Sequence, residues 1–282
     1  MKRLVVTADD FGLAAEVNEA VEQAHTHGVL SAASLMVGAP AAADAVARAR
    51  RMPRLRVGLH LVLVEGWPAA PAADIPDLLD RSGRLRTDLA AYGLAIMMRP
   101  AVRRQIRAEI RAQFEAFRAT GLVLDHVNAH QHYHLHPAIL AELLNVGRDY
   151  GMTALRVPVE PIAPLRAIEP TPRAVITMVA APWAALMLRR ARRAGLVVAD
   201  RVFGLAWTGA MTETRLAGLL ERLGPGRTEI YLHPATAGGF QGAASNYRYP
   251  EELSALLSPL CREALDRSGA TLGGYGDLAE LS

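Results

Sequence analysis

The chain has 282 residues, 51% of them hydrophobic and 21% charged, with a formal net charge of +3. That composition excludes a disordered chain and suits one large domain or two small ones; a single barrel, which usually needs about 250 residues, fits. The positive excess is too mild, and its arginines too poor in interleaved aromatics, for a nucleic-acid partner.

A single cysteine, Cys261, allows no internal disulfide. Met1-Lys2-Arg3 is basic, but the apolar run behind it stops at Asp9 and Asp10, too short for a signal-peptide core. A cytoplasmic protein is expected.

Residues 4–8, Leu-Val-Val-Thr-Ala, predict a first strand that ends in Asp9-Asp10-Phe11-Gly12. One carboxylate there could cap the next helix; two in a row mark a candidate site. Val17, Ala20, Val21 and Ala24 give a helical stripe closed by Gly28. Residues 31–37 read as a second strand and 41–51 as an Ala-rich helix. Residues 55–63 are apolar enough for a strand buried on both faces. His60 interrupts them, as a packed core histidine or as a ligand, with Gly58 leaving room beside it. Residues 65–99 are rich in Pro and Gly at first and read as a long functional loop with short helical pieces. After Pro100, Val102, Ile106, Ile110, Phe114 and Phe117 form the stripe of a long helix with a solvated Arg face.

Asp125-His-Val-Asn-Ala-His-Gln-His-Tyr-His-Leu-His-Pro137 holds five of the nine histidines. They recur at every second position: His126, His130, His132, His134 and His136. Alternate side chains of a strand share a face. His126, Asn128 and His130 therefore share one side, and His132 and His134 follow where the strand gives way to a loop. Such a run marks a metal or proton-transfer site, or else a stack of core histidines.

Pro137 opens another helix. Residues 153–157 predict a strand with Arg156 near its carboxyl end, as an ion-pair partner or a substrate clamp. Residues 158–209 then break the alternation. Pro158, Pro161, Pro164, Pro170 and Pro172 come first, followed by the uncharged, mostly apolar residues 174–188 and by Arg189, Arg190, Arg192 and Arg193. The apolar part is shorter than the ~20 residues of a spanning helix, and Pro182 interrupts it. Trp183 and the arginines suit a membrane surface. Residues 174–193 are therefore expected to lie at an interface, the alternative being a buried helix with a basic exit. A helix over 212–223, a strand over 228–232 ending in His233-Pro234, a Gly-rich loop, a helix over 250–267 and a short strand over 270–272 complete the chain.

Strands alternating with helices predict a parallel sheet or barrel with its site at the strands' carboxyl ends. Asp9 and Asp10, His60, His130 and His233 all fall there. One carboxylate and two imidazoles suit a catalytic divalent metal with open positions. A second carboxylate can take a proton from water, and a separate histidine can protonate a leaving group. Those are the parts of metal-assisted hydrolysis of an amide or ester. Adjacent residues of an ideal strand point apart, so the two aspartates can serve one site only where the strand has turned.

Ala8-Asp9-Asp10-Phe11-Gly12, Gly58-Leu59-His60-Leu61, the run from His126 to Pro137 and the late His233-Pro234 resemble, in order and spacing, the YdjC/ChbG-type carbohydrate deacetylases over nearly the whole chain. The resemblance implies a single deformed, TIM-like (β/α) barrel that removes N-acetyl groups from amino sugars with one divalent metal. It implies Asp10, His60 and His130 as metal ligands, Asp9 as general base, His233 as general acid, and Arg156 as the residue that places the base or the substrate. His132 and His134 are expected to line the sugar pocket, with His126 and Asn128 packed behind His130. Zinc suits two imidazoles and a carboxylate, with magnesium, cobalt or manganese as alternatives.

Asn128 stands where the family usually has Asp, and Gln131 where it often has His. With the apolar stretch, these variants resemble the HpnK branch associated with hopanoid biosynthesis. That branch implies a glycolipid substrate, the N-acetylglucosaminyl head group of bacteriohopanetetrol, met at the inner face of the cytoplasmic membrane through residues 174–193. A soluble acetylated chito-oligosaccharide is the alternative substrate, and a non-catalytic peripheral lipid-binding protein the alternative function. Phosphate-ester hydrolysis would call for more carboxylates and a phosphate-cradling Gly loop. Nothing in the sequence indicates an oligomeric state.

Overall fold

A computed structural model describes the backbone of residues 1–169 and 174–281, and side chains outside 174–180 and 279–281. Pro170 and Pro172, two of the prolines that break the alternation, lie outside the described residues. The first half runs β1 (Lys2–Phe11), α1 (Ala15–His27), β2 (Ala32–Leu35), α2 (Ala42–Arg51), β3 (Arg56–Leu61), α3 (Leu89–Met98), α4 (Pro100–Ala119) and β4 (Val127–Ala129). A 3-10 turn, His130–Leu135, leads to α5 (Pro137–Asp149), α6 (Ile162–Ile168) and α7 (Ala174–Arg193). Then come β5 (Arg201–Phe203), α8 (Glu213–Glu221), β6 (Gly226–Leu232), α9 (Tyr249–Leu257), α10 (Pro259–Ser268) and β7 (Thr271–Leu272).

The sheet is parallel, in the order β4-β3-β2-β1-β6-β5, with β7 added to β1. β1 is central and buried from Leu4 onward, as a strand covered by helices on its flanks must be. Single bridges, Val127 to Leu155 and Ala154 to Val197, carry the curl from β4 round to the segment that enters β5. The strand expected over 153–157 is reduced to those bridges; Pro158, which has no N–H, follows directly. The stretch expected to break the alternation thus supplies β5, which pairs with β6.

The long helix is as its stripe requires. Val102, Ile106, Ile110, Phe114 and Phe117 are all buried on α4, whose first residue is Pro100. The single helix expected over 250–267 is instead two, α9 and α10. Pro259 cannot continue the hydrogen-bond ladder of α9, and Ser258 caps the new helix through Cys261 N–H at 3.3 Å. Among the described residues, no helix is long and apolar enough to cross a membrane.

One irregularity sets the site. β1 pairs with β2 in register at Thr7–Ala32 and Ala8–Ala33, then shifts by one residue to pair Phe11 with Leu35. The extra residue is accommodated by Asp10 at φ 62°, a left-handed conformation that a non-glycine side chain resists. The strand therefore turns between the two aspartates, and both face the carboxyl-end cleft.

Candidate metal centre and its cleft

Asp10 Oδ1 lies 3.2 Å from His60 Nε2 at the end of β3 and 3.3 Å from His130 Nδ1 just beyond β4. One donor atom from each of the three lies within 4.8 Å of the others. Asp10 Oδ1 and His60 Nε2 are buried and have no hydrogen-bond partner, a costly state unless something else fills the gap. Ligand atoms on a tetrahedral ion with bonds of roughly 2.0–2.1 Å stand roughly 3.3–3.4 Å apart, so the spacing fits. Charge fits as well: Asp9 and Asp10 are both buried carboxylates, and the buried Arg156 guanidinium is shared between Asp9 and Glu229.

Asn128 orients this cluster. Its Nδ2 faces Asp9 Oδ1 at 2.9 Å and Ser34 Oγ at 2.8 Å. A carboxylate only accepts, so the amide nitrogen must face Asp9 and the amide oxygen must face His60 Nδ1, 2.7 Å away. His60 therefore carries its proton on Nδ1 and turns a bare Nε2 lone pair toward Asp10. Ser34 Oγ bonds His126 Nε2 at 3.0 Å, and His126 Nδ1 bonds Asp125 Oδ2 at 2.9 Å. The room beside Gly58 is filled by His126, since a Cβ at Gly58 would meet that ring at 2.5 Å.

Asp9 is held from two sides. Besides Asn128, it accepts Arg156 Nη2 at 3.0 Å and a close bond from Arg156 Nη1. Burial pushes the Asp9 carboxyl up, but the Arg156 charge and hydrogen bond outweigh it and hold the group well below the usual carboxylate range. Burial likewise raises Asp10, but the His130 and His60 rings beside it outweigh burial and hold the carboxyl well below the usual carboxylate range. Arg156 is completely buried, its charge shared between Asp9 and Glu229. It does not reach the cleft, which removes the expected substrate contact and leaves the expected placing of the Asp9 carboxylate.

A cavity of about 190 Å³ opens over the cluster, lined among others by Asp9, His60, His130, His132, Tyr231 and His233. His233 follows β6, and its N–H is bonded by Glu252, whose other oxygen takes Met211 N–H at 2.7 Å. Burial pushes the Glu252 carboxyl up to about 7. Burial lowers His233 against the pull of Asp10 and Asp9, so the imidazole rests neutral. His132 lines the cavity as expected and bonds Tyr231 Oη at 2.9 Å. His134 does not: it is fully buried behind it, with Nε2 on the Arg156 carbonyl at 2.9 Å. The chain turns left-handed at Gln131 and His132, φ 53° and 49°, and beyond that turn His132 faces the cavity while His134 points inward. His136 caps α5 instead, accepting Ala138 N–H at 3.3 Å.

A second cavity, about 460 Å³, meets Asp10 and His130 from the other side and includes Glu65, Asp80 and Arg84. Among the described residues, the non-glycine positions with left-handed φ are Asp10, Glu65, Gln131 and His132, and all four line one of these two cavities. Backbone strain collects where geometry is over-determined by function.

Sequence reading passed over Ser34, Glu229, Tyr231 and Tyr275. Glu229 alone left a signal, a charge in the middle of the strand Thr-Glu-Ile-Tyr-Leu, which requires a buried partner.

The fold and the cluster together define an α/β protein with a metal-competent cleft at its strand ends. The chain belongs to the YdjC-like protein family, whose model matches residues 3–267. A carbohydrate deacetylase of Geobacillus stearothermophilus is 30% identical over 281 residues, 98% of each chain. One from Brevibacillus brevis is 41% identical over 157 residues, and there the match spans 56% of this chain and 58% of that one. A protein of Enterococcus faecalis V583, solved as a proposed cellobiose-phosphate cleavage protein, shares the fold with a TM-score of 0.76 at 22% identity, over 98% of both chains.

Proposed function

We propose that this chain is a metal-dependent carbohydrate N-deacetylase. The observation that carries the reading is the meeting of Asp10, His60 and His130, with buried, unpartnered atoms on Asp10 and His60, directly beside a carboxylate, Asp9, that is locked in place and kept ionised. The end-to-end similarity to a carbohydrate deacetylase supports it.

Asp10, His60 and His130 would hold the ion, which when bound polarises a carbonyl and acidifies water. Asn128 presents the His60 lone pair. Asp9, clamped by Arg156 and Asn128, accepts the proton of the water that adds to the acetamide carbon. The C–N bond then breaks, the nitrogen takes a proton, and acetate and a free amine leave. His233, resting neutral, becomes an acid only by receiving the proton that Asp9 has taken up, and it delivers that proton to the amine from the same cavity. His132 and Tyr231 shape the wall against which the sugar packs. Zinc is the preferred ion, by its taste for two imidazoles and a carboxylate.

The finer substrate is the N-acetylglucosaminyl head group of a lipid such as bacteriohopanetetrol, reached at the inner face of the cytoplasmic membrane. Exposed apolar surface beside the cleft favours it. α3 has no charged residue, and Leu94, Met97 and Met98 are 64%, 56% and 72% exposed on it. Tyr133 Oη donates to the Leu89 carbonyl at 3.0 Å, which seats α3 against the histidine run. On α7, Ala184, Met187 and Ala191 are buried while Trp183 is 50% exposed. Arg190 donates to the Pro137 carbonyl at 3.4 Å, which ties α7 to the start of α5, next to the histidine run.

Mass spectrometry of candidate acetamido sugars tests the activity. Loss of one acetyl group that a chelator abolishes and added divalent metal restores is the expected result; loss that is indifferent to chelator would contradict it.

A further inference from the structure

We infer that Tyr275 and Glu229 are positioning residues for the Asp9 carboxylate, acting from the opposite end of the barrel interior; the inference rests on the deacetylase reading only for what Asp9 does. Two hydrogen-bonded arms start at Tyr275 and both end on Asp9.

The first arm runs through side chains. Tyr275 Oη donates to Glu229 Oε2 in a close contact. Arg156 Nε donates to the same oxygen at 3.0 Å, and Arg156 Nη2 donates to Glu229 Oε1 at 2.8 Å. Thr7 Oγ1 adds a bond to Oε1 at 2.6 Å. Each oxygen of Glu229 thus takes two donors, and the far edge of the guanidinium is left to Asp9. Arg156 lies 4.5 Å over the Tyr231 ring, which fixes its plane. Tyr275, Glu229 and Arg156 are wholly buried.

The second arm starts at the Tyr275 main chain. Its N–H donates to Asp125 Oδ2 at 3.0 Å. Asp125 holds His126, His126 takes Ser34, Ser34 takes Asn128, and Asn128 donates to Asp9. The Tyr275 ring stacks on His126 at 5.0 Å. Gly274 lets the chain enter, since a Cβ there would meet Arg56 Cγ at 2.4 Å and Asp125 Oδ1 at 2.5 Å.

Glu229 keeps Arg156 from following Asp9. A guanidinium bonded on one edge alone can swing with its partner; bonded on both edges, it is a fixed fork. The carboxylate that must meet a water to within a fraction of an ångström is thus referenced to the C-terminal segment. A displacement of about 1 Å at such a group costs roughly 100-fold in rate.

Tyr275→Phe removes one hydroxyl and leaves the ring stack and the second arm intact. The expected result is a kcat lower by about 10- to 100-fold, with KM and metal affinity unchanged. Glu229→Gln must set its NH2 against two donors whichever way it turns, and it should lose more. In an Arg156→Met background, Tyr275→Phe should cost less than about twofold, because the arm through Glu229 is already cut. An equal loss in both backgrounds would mean that the tyrosine acts by packing alone and would overturn the inference. The Arg156 Nε–H resonance gives a readout that does not depend on turnover. It should shift in both Tyr275→Phe and Asp9→Asn, and a resonance unmoved in Tyr275→Phe overturns the inference. A native protein that deacetylates no probe sugar overturns the deacetylase reading alone, and the resonance still decides this one.

Discussion

The amide oxygen of Asn128 stands 2.7 Å from Nδ1 of His60, and that contact sets which nitrogen of the ring is free. Partners of this kind typically govern metal affinity by 10- to 100-fold. Asn128→Leu should therefore weaken zinc binding by about that factor, as isothermal titration would read. Asn128→Asp should behave differently. It can still accept from His60, so the metal stays. It cannot donate to Asp9 and places a like charge beside it, so turnover falls. Native zinc affinity in Asn128→Leu would show that His60 is not oriented for a metal.

His233 is expected to matter in proportion to how badly the leaving group needs a proton. His233→Ala should lower the rate on an acetamido sugar by about 10²- to 10⁴-fold, the usual worth of general acid–base catalysis. The same variant should keep most of its rate on an aryl acetate ester, whose departing phenolate needs no proton. A parallel loss on both substrates would place His233 outside proton transfer to the leaving group.

Buried histidines give stability a definite pH dependence. Burial pushes His134 down to about 4 and His132 well below its ordinary value. Between pH 6.5 and about 4 the unfolded chain binds these protons and the folded chain does not. Stability is therefore full above pH 6.5 and falls as the pH drops toward about 4. His134→Gln keeps a donor for the Arg156 carbonyl and cannot titrate. Its unfolding free energy should vary less across that window, by at most about 1.4 kcal/mol per pH unit. Denaturant titrations at several pH values measure this, and an unchanged slope would mean that His134 takes up its proton as readily in the fold as in the unfolded chain.

The exposed side of α3 separates the two candidate substrates. Replacing Leu94, Met97 and Met98 together with Gln removes an apolar face and leaves the buried Tyr92 and Ile96 in place. On vesicles carrying the glucosaminyl lipid precursor, activity should fall at least about tenfold, in line with the apolar area lost to the bilayer. On a soluble chito-oligosaccharide it should not change. Equal activity of the variant and the native protein on both substrates would rule out lipid docking through α3.

Much of the cleft is legible in the sequence because strand ends announce themselves. Asp9 and Asp10 close an apolar run, His60 interrupts another, and His233 precedes a proline. Their shared location follows from parallel topology alone. The need for a turn between the two aspartates is also legible, and Asp10 at φ 62° supplies it. What is not legible is which residues meet across the barrel interior. Ser34 is one polar residue in a short apolar strand, and its bonds to His126 and Asn128 span 92 and 94 positions. Tyr275 reaches Asp125 over 150 positions. Nor is it legible that His134 turns inward, since that follows from the left-handed backbone at Gln131 and His132, beyond the end of the strand. Pro259 is a plain helix breaker, yet the apolar pattern on either side of it reads as continuous.

The most direct test of the central assignment is metal content and turnover measured together on Asp9→Asn. One divalent ion per chain after extensive dialysis, with deacetylation lower by at least about 10²-fold, is the expected result. Unchanged turnover, or loss of the ion from Asp9→Asn but not from Asp10→Asn, would contradict it.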